Sequence, residues 1–289
     1  MRRSAGLLGF AADARVLIVN CDDFGMHPAI NAAVIESIEQ GIARSCSLMV
    51  PAPAAAQAVD LLRDRPEIPF GIHLTLVCEH AGYRWPLLTA PEAIPSLLDE
   101  TGEVFAPTPG GRSRLLGQAR LDEVEVEFRA QIDAVADTGL TPTHLDFHCL
   151  ADGGRADILD LTVALADEYG LATRVWLDPA RAELRGRGVP VTDNAFLDSF
   201  ALDVEGKSAR YVELLRALPP GLTEWAVHPG LPDTGWAAIE GPGARVRSSD
   251  YEFLVSPMAR EVLAAEHITV IDYRPIREAW RLSASWEAE

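Results

Sequence analysis

Two carboxylates stand side by side at the end of an apolar run. Asp22 and Asp23 follow residues 16–20, whose β-branched side chains predict a buried strand, and Gly25 permits a tight turn soon afterwards. Such a pair could bind a cation or exchange protons with a substrate. It could also cap the helix that follows, because carboxylates accept hydrogen bonds from the first backbone amides of a helix.

A second polar cluster lies in the apolar run formed by residues 143–149. Side chains alternate along a strand, so His144, Asp146 and His148 share one face while apolar side chains share the other. Burying such groups without partners costs several kcal/mol. We therefore expect this face to line a metal site or another polar site.

Two further histidines, His73 and His228, lie within or directly after apolar runs at residues 70–77 and 223–227. Taken alone, His73 fits a hydrogen-bonded core residue, and His228 fits a turn residue before Pro-Gly. Function in parallel α/β folds is located where the strands end. Four strand ends that carry aspartate or histidine are therefore better explained by one shared site.

Hydrolysis of an amide or ester is the chemistry that this set could perform. One carboxylate and two imidazoles can bind a divalent ion and leave positions open for water. The ion polarises a carbonyl and lowers the pKa of water, while a second carboxylate and a further histidine move protons. The sequence has no GxSxG, GxxxxGK[ST] or strand-following GxGxxG motif, which argues against serine hydrolases, P-loop proteins and dinucleotide-binding folds.

The elements that must position these residues follow a repeating order. Short apolar runs alternate with helical periodicity, which predicts parallel strands with helices outside them, and the chain length of 289 residues suits one α/β barrel. Residues 1–14 are predicted to be a short N-terminal extension, and residues 15–289 a single domain. Residues 78–117 lose the pattern, so we expect an irregular insertion that shapes specificity.

The amino-acid composition restricts the kinds of partner that the chain can bind. The chain has 43 acidic and 25 basic residues, a net charge of −18, which disfavours nucleic acid and anionic membrane surfaces and favours a neutral small molecule. No run approaches the ~18 apolar residues of a membrane span. Four scattered cysteines without a CxxC pair favour buried thiols over a disulfide scaffold, and hence a cytoplasmic location.

The motifs together resemble the YdjC-like (ChbG/HpnK) carbohydrate deacetylase family. They occur in the family's order over residues 15–277, and the Asp-Asp-Phe-Gly and His-Leu-Asp-x-His blocks are its more specific parts. The matching segments are LIVNCDDFG at residues 17–25, GIHLTL at 71–76, PTHLDFH at 142–148 and HPG at 228–230. Where family members often carry further histidines after the last of the three longer motifs, this chain has Cys149 and Leu150.

The resemblance implies a distorted TIM-like (β/α) barrel, akin to polysaccharide deacetylases, that removes N-acetyl groups from a mono- or oligosaccharide such as a chitooligosaccharide and releases acetate. It implies that Asp23, His73 and His148 bind the metal, that Asp22 is the general base and that His228 is the candidate general acid. Zinc and magnesium both remain open, although two histidine ligands favour zinc. Family members are often dimers, so a homodimer is a further expectation.

Two rival functions and several supporting residues complete the expectations. A metal-dependent phosphoesterase would use similar ligands, and a sugar-binding module could keep the site without turnover. Trp85, Trp176 and Trp236 could stack on a sugar or simply pack in the core. Arg174 could hold a neighbouring polar group or form a surface salt bridge, and Asp146 could support a ligand.

Overall fold

A parallel sheet carries the site. The computed structural model describes residues 3–284, so residues 1, 2 and 285–289 of the predicted extension and domain lie outside the described residues. The strands are β1 (Arg15–Phe24), β2 (Ser45–Leu48), β3 (Phe70–Leu74), β4 (His144–Phe147), β5 (Ala172–Thr173), β6 (Leu197–Asp198), β7 (Gly221–Val227) and β8 (Ile268–Ile271).

Helices follow most of the strands, and 3₁₀ turns interrupt the connections. The α-helices are α1 (Ser4–Leu7), α2 (Pro28–Glu39), α3 (Ala55–Arg63), α4 (Pro109–Gln118), α5 (Leu121–Ala136), α6 (Ala156–Tyr169), α7 (Asp178–Gly186), α8 (Lys207–Arg216), α9 (Thr234–Glu240), α10 (Gly243–Leu254), α11 (Pro257–Ala265) and α12 (Arg274–Ala284). The 3₁₀ turns are Pro91–Ala93, Pro95–Leu97, Ala151–Gly154 and Ser199–Ala201.

The sheet runs in the order β5-β4-β3-β2-β1-β7-β6, and all of its ladders are parallel. One edge of β1 pairs with β7 along residues 15–21, while β8 and β2 share its other edge, β8 at residues 15–18 and β2 at residues 20–24. Within residues 3–284, no ladder joins β5 to β6. The predicted distorted α/β barrel is confirmed, with an opening between its two outermost strands.

Helix α5 illustrates how the core forms. Val124, Phe128, Ile132 and Val135 recur at helical spacing and are all buried, as periodicity predicts. Residues 16–24 of β1 are all buried, as expected for a strand of a parallel sheet that is covered on both faces.

Local structure departs from the sequence expectations in several places. The segment at residues 78–117 is not wholly irregular, since it contains two 3₁₀ turns and most of α4. Helices α7, α9 and α10 lie where the sequence predicts no helix. The described part of the extension forms α1, whose Ser4 and Ala5 amides donate hydrogen bonds of 2.8 and 3.0 Å to the Asp193 carboxylate. No helix within residues 3–284 is long and apolar enough to cross a membrane.

Candidate active site

A break in the pairing of β1 with β2 directs the side chains of Asp22 and Asp23 into one cavity. The register of β1 against β2 shifts between Cys21 and Phe24, and Asp23 has a left-handed φ of 66°. Such irregularities redirect side chains near functional sites, and a left-handed aspartate costs about 1–3 kcal/mol. Asp22 and Asp23 are both buried, and both line a cavity of about 1130 Å³.

Gly25 permits the turn that follows. Its φ is 99°, and a Cβ at this position would lie 3.0 Å from the carbonyl oxygen of Met49. Its amide donates a 2.6 Å hydrogen bond to Oδ1 of Asn31, which ties the turn to α2. The backbone therefore requires glycine here for conformation and for space.

The three predicted metal ligands meet beneath the cavity. Oδ1 of Asp23 lies 3.2 Å from Nδ1 of His148 and 3.4 Å from Nε2 of His73. Ligand bonds of 2.0–2.1 Å separate neighbouring nitrogen and oxygen ligands of a tetrahedral ion by roughly 3.3 Å. Nδ1 of His73 lies 2.8 Å from Oδ1 of Asp146, an outer carboxylate of the kind that orients metal-binding imidazoles. The donor set therefore fits a divalent ion.

The electrostatics of this triad match a site built for positive charge. Burial lowers the pKa of His73, but the carboxylates of Asp146 and Asp23 outweigh burial and raise it to about 9. Burial lowers the pKa of His148, but Cys149, Asp23 and Glu79 outweigh burial and raise it well above its usual range. Burial raises the pKa of Asp23, yet Arg247 and the two imidazoles hold it well below its usual range. A bound ion would replace protons that the imidazoles otherwise share with the carboxylates.

Asp22 has a different set of partners from Asp23. Arg174 donates from Nη2 to Oδ1 of Asp22 and from Nη1 to Oδ2, each at 2.8 Å. The side-chain amide of Asn20 also donates from Nδ2 to Oδ1 at 2.8 Å. Burial raises the pKa of Asp22, but Arg174 outweighs it and lowers the pKa overall. This two-pronged contact fixes the carboxylate plane.

Arg174 is a buried hub rather than a surface salt bridge. Besides Asp22, it contacts Oδ2 of Asp146 at 2.8 Å and Oε1 of Glu224 at 2.7 Å. Burial raises the pKa of Glu224 to about 7 although Arg174 opposes this, and the Tyr273 hydroxyl donates to Glu224 at 2.5 Å. The Arg174 guanidinium thus links Asp22, the predicted base, to Asp146. Asp146 in turn contacts His73, a predicted metal ligand.

Arg247 forms a second buried hub, which the sequence did not reveal. It lies on α10, and its Nη1 is 2.8 Å from Oδ2 of Asp23, the oxygen that faces away from the histidines. The same guanidinium is 3.3 Å from Oε1 of Glu79 and 2.6 Å from Oε1 of Glu240. Neither α10 nor the position of Glu79 carried a readable motif.

His228 lies close to Asp22, the predicted base. It directly follows β7, and its Nε2 is 4.0 Å from Oδ2 of Asp22. Oγ of Ser199 lies 2.8 Å from Nδ1, and the His228 amide donates to Oδ2 of Asp250 at 2.9 Å. The exposed Phe200 ring packs edge-on against the imidazole with centroids 4.7 Å apart. Nδ1 of His228 is therefore held by Ser199, and Nε2 faces Asp22.

The cavity is large enough for more than one sugar ring. Its volume of about 1130 Å³ exceeds the usual range for small-molecule pockets, roughly 300–1,000 Å³. Of the three tryptophans considered from sequence, Trp176 lines this cavity, whereas Trp85 and Trp236 are 5 % and 1 % exposed and pack in the interior. Arg112, from the segment at residues 78–117, also lines the wall.

Most of the chain matches a known protein family. The model of the YdjC-like protein family matches residues 16–265. This chain belongs to the YdjC-like family. Two similar relatives are carbohydrate deacetylases, one from Thermoanaerobacter pseudethanolicus and one from Geobacillus stearothermophilus. The first is 33 % identical over 260 residues, covering 90 % of this chain and 98 % of the relative; the second is 31 % identical over 262 residues, covering 90 % and 97 %.

A solved structure agrees with this assignment. A protein from Enterococcus faecalis V583, described as a candidate cellobiose-phosphate cleavage protein, superposes with a TM-score of 0.76 at 26 % identity, covering 90 % of this chain and 98 % of that one. The predicted family and fold are confirmed. So is the prediction that this YdjC-like chain is an enzyme of the carbohydrate deacetylase class, a hydrolase of amide bonds.

One expectation about the cysteines is wrong. All four thiols are free, and Cys21, Cys46 and Cys78 are buried, but Cys149 is exposed and lines the cavity. Cys149 follows His148 at the end of β4 and has a left-handed φ of 58°, so the chain turns and the strand alternation that predicted an inward, apolar position no longer applies. This YdjC-like chain therefore places a thiol beside its candidate metal site.

Proposed function

We propose that this chain is a metal-dependent deacetylase that hydrolyses the N-acetyl group of a neutral mono- or oligosaccharide of the chitooligosaccharide type and releases acetate. The observation that carries the proposal is the meeting of Asp23, His73 and His148 next to an arginine-held Asp22 on one cavity wall. The names of the relatives support the reaction, and the donor set supports the ion.

The metal ligands are Asp23, His73 and His148. A divalent ion held there would polarise the acetyl carbonyl and lower the pKa of water. Two imidazoles favour zinc over magnesium, because magnesium prefers oxygen ligands. Asp146 fixes the ring of His73 through Nδ1, which leaves Nε2 facing the ion position.

Proton transfer is assigned to the two groups that flank the ligands. Asp22 accepts the proton of the attacking water, and the grip of Arg174 on both of its oxygens holds the carboxylate in one orientation. His228 presents Nε2 4.0 Å from Asp22 and donates a proton to the departing sugar nitrogen. Ser199 keeps the ring in place through Nδ1.

The cavity supports the choice of a neutral sugar as the substrate. The half-buried Trp176 and the exposed Phe200 place aromatic side chains along a cavity with room for several sugar units. The net charge of −18 disfavours a polyanion. A phosphoesterase is less well supported, because Arg174 and Arg247, the arginines nearest the candidate ligands, are each engaged by three carboxylates and are not free to bind a phosphate.

Acetate release tests the proposed function. Purified protein is incubated with short chitooligosaccharides and, in parallel, with a panel of phosphate esters. We expect acetate from the former alone, loss of activity when a chelator removes the ion, and recovery when zinc is added back. Phosphate release without acetate would favour the phosphoesterase, and sugar binding without acetate release from metal-loaded protein would favour the binding module.

A further inference from the structure

A second group of metal-ligating atoms lies on the cavity wall beside the proposed metal ligands. Sγ of Cys149 is 3.5 Å from Nε2 of His148 and 3.8 Å from Oε2 of Glu79, and Nε2 of His148 is 3.2 Å from Oε2 of Glu79. Cysteine, histidine and a carboxylate are three ligand types of zinc sites. We infer that Glu79, His148 and Cys149 form a second cation position that selects a thiophilic divalent ion such as zinc or cadmium.

The spacing of the three atoms fits one ion. Bonds of about 2.3 Å to sulfur and 2.0–2.2 Å to nitrogen and oxygen place neighbouring ligands of a tetrahedral zinc roughly 3.3–3.6 Å apart. The three measured separations, 3.5, 3.8 and 3.2 Å, lie close to those edges. All three residues line the same cavity, so an ion can reach them and a fourth ligand can be water.

The ligand types in the group favour a cation that binds sulfur. Glu79 is shared with Arg247, whose Nη2 lies 3.3 Å from Oε1, while Oε2 faces the histidine and the thiol. Nε2 of His80 is 4.0 Å from Oε1 of Glu79. A hard ion such as magnesium, which prefers several oxygen ligands, gains little from one carboxylate oxygen beside a thiol. Zinc and cadmium gain most, because thiolate is a soft ligand.

The two positions share one imidazole but use different nitrogens of it, so occupancy of both releases its ring protons and leaves His148 as a bridging imidazolate. Nδ1 of His148 faces Asp23, and Nε2 faces Glu79 and Cys149. Loss of Asp23 therefore weakens the first position without removing a ligand of the second, and loss of Cys149 does the reverse. The inference depends on the proposed function only in naming the first position, so the two can fail separately.

Cadmium titration of the whole chain tests the inference. Ultraviolet absorbance reports cadmium–thiolate bonds, and equilibrium dialysis reports stoichiometry. For the wild type we expect two equivalents of cadmium, one of which produces the thiolate band, and for magnesium no thiolate band. Cysteines 21, 46 and 78 are buried at 0 % exposure and are not expected to contribute.

Two matched variants assign the band. Cys149→Ser should lose the band, and the affinity for its second equivalent should fall by at least about 100-fold, since a ligand counts for more than an outer partner. Asp23→Asn should keep the thiolate band and lose the equivalent that produces no band, with circular dichroism confirming its fold.

A wild type that binds one equivalent without a thiolate band would overturn the second position. So would a single equivalent whose band disappears in Asp23→Asn, because Cys149 would then ligate the first ion. Retention of both equivalents by Asp23→Asn with the Cys149 result intact would count against the proposed first site alone.

Discussion

Arg174 and Arg247 make an instructive pair, because each is a buried arginine that contacts three carboxylates, yet they serve neighbouring residues in different ways. Arg174 binds both oxygens of Asp22, whereas Arg247 binds one oxygen of Asp23 and leaves the other facing two histidines. Adjacent aspartates thus receive different surroundings. In the proposed mechanism, Asp22 is the proton acceptor and Asp23 keeps one oxygen available for the ion.

The difference shows how a fold separates the roles of like residues. Strand alternation alone would point two adjacent aspartates to opposite faces of β1. The register shift after Cys21 and the left-handed φ of Asp23 bring both side chains to one cavity, where each contacts a different guanidinium, Arg174 after β5 and Arg247 on α10. Breaking a buried ion pair by removing one partner costs about 3–5 kcal/mol, so charge-conserving substitutions are the better probes of each hub.

The largest effect is expected on the Arg174 side, at the proposed acid. His228→Gln should lower the rate of acetate release by about 10²–10⁴-fold, because general acid catalysis contributes on that scale, and it should leave zinc affinity unchanged. Ser199→Ala, which removes only the hydrogen bond to Nδ1, is the matched control and should cost less. Turnover in His228→Gln close to that of the wild type would remove the residue from the acid role.

Exchange of the two hubs for lysine should separate turnover from metal affinity. Lysine keeps the charge but cannot make the two-pronged contact. Arg174→Lys should lower kcat and leave zinc affinity little changed, since Asp22 loses its orientation. Arg247→Lys should weaken zinc binding by about 10–100-fold, the usual cost of losing a group that orients a metal ligand. Calorimetric zinc titration and steady-state kinetics measure both. Equal effects of the two variants on both quantities would contradict the division between the hubs.

Zinc affinity should rise with pH. The pKa of His73 is about 9 because Asp146 and Asp23 outweigh burial, so below that pH the ion must displace a proton from the ring. For one competing proton, affinity rises by about tenfold per pH unit and levels off above the folded pKa. Asp146→Asn should shift the rise to lower pH. Competition titrations at several pH values measure this, and an affinity independent of pH below 9 would be inconsistent with protonated imidazoles.

The smallest effect is expected at the cavity wall, away from both hubs. Trp176→Ala should raise KM for a chitooligosaccharide by about two- to tenfold, the scale of one aromatic contact, with kcat nearly unchanged. Leu177→Ala, at an exposed neighbour on the same wall, serves as the control. A fall in kcat with unchanged KM would mean that Trp176 acts on the reaction rather than on substrate binding.

The sequence predicted much of the Arg174 side. Asp22, His73 and His148 stand at strand ends, where parallel folds collect function, and Arg174 follows the short β5. Strand alternation also placed Asp146 on the face of the histidines. His144 shares that alternation but lies deeper, fully buried and stacked on Tyr273 at 3.7 Å, so alternation gives the face and not the depth.

The Arg247 side was not predictable in the same way. Helix α10 begins after Gly241 and Pro242, and its buried face mixes Arg247 and Asp250 with apolar residues, so periodicity gave no clear signal. Glu79 follows a strand run in a segment without pattern, and the contact with Arg247 spans 168 residues. The turn at Cys149 depends on a left-handed residue that is not glycine, and the amino-acid sequence does not predict such a residue. Long-range ion pairs and unusual backbone angles are tertiary features.

Metal content of two matched variants tests the central claim most directly. Asp22→Asn and Asp23→Asn, each combined with Cys149→Ser so that the inferred second position holds no zinc, are loaded with one equivalent of zinc, dialysed and assayed for bound zinc and acetate release. The separation of roles predicts that Asp22→Asn retains its zinc and loses turnover, whereas Asp23→Asn loses both. Loss of zinc from Asp22→Asn to the same extent as from Asp23→Asn, or full turnover in Asp22→Asn, would contradict it.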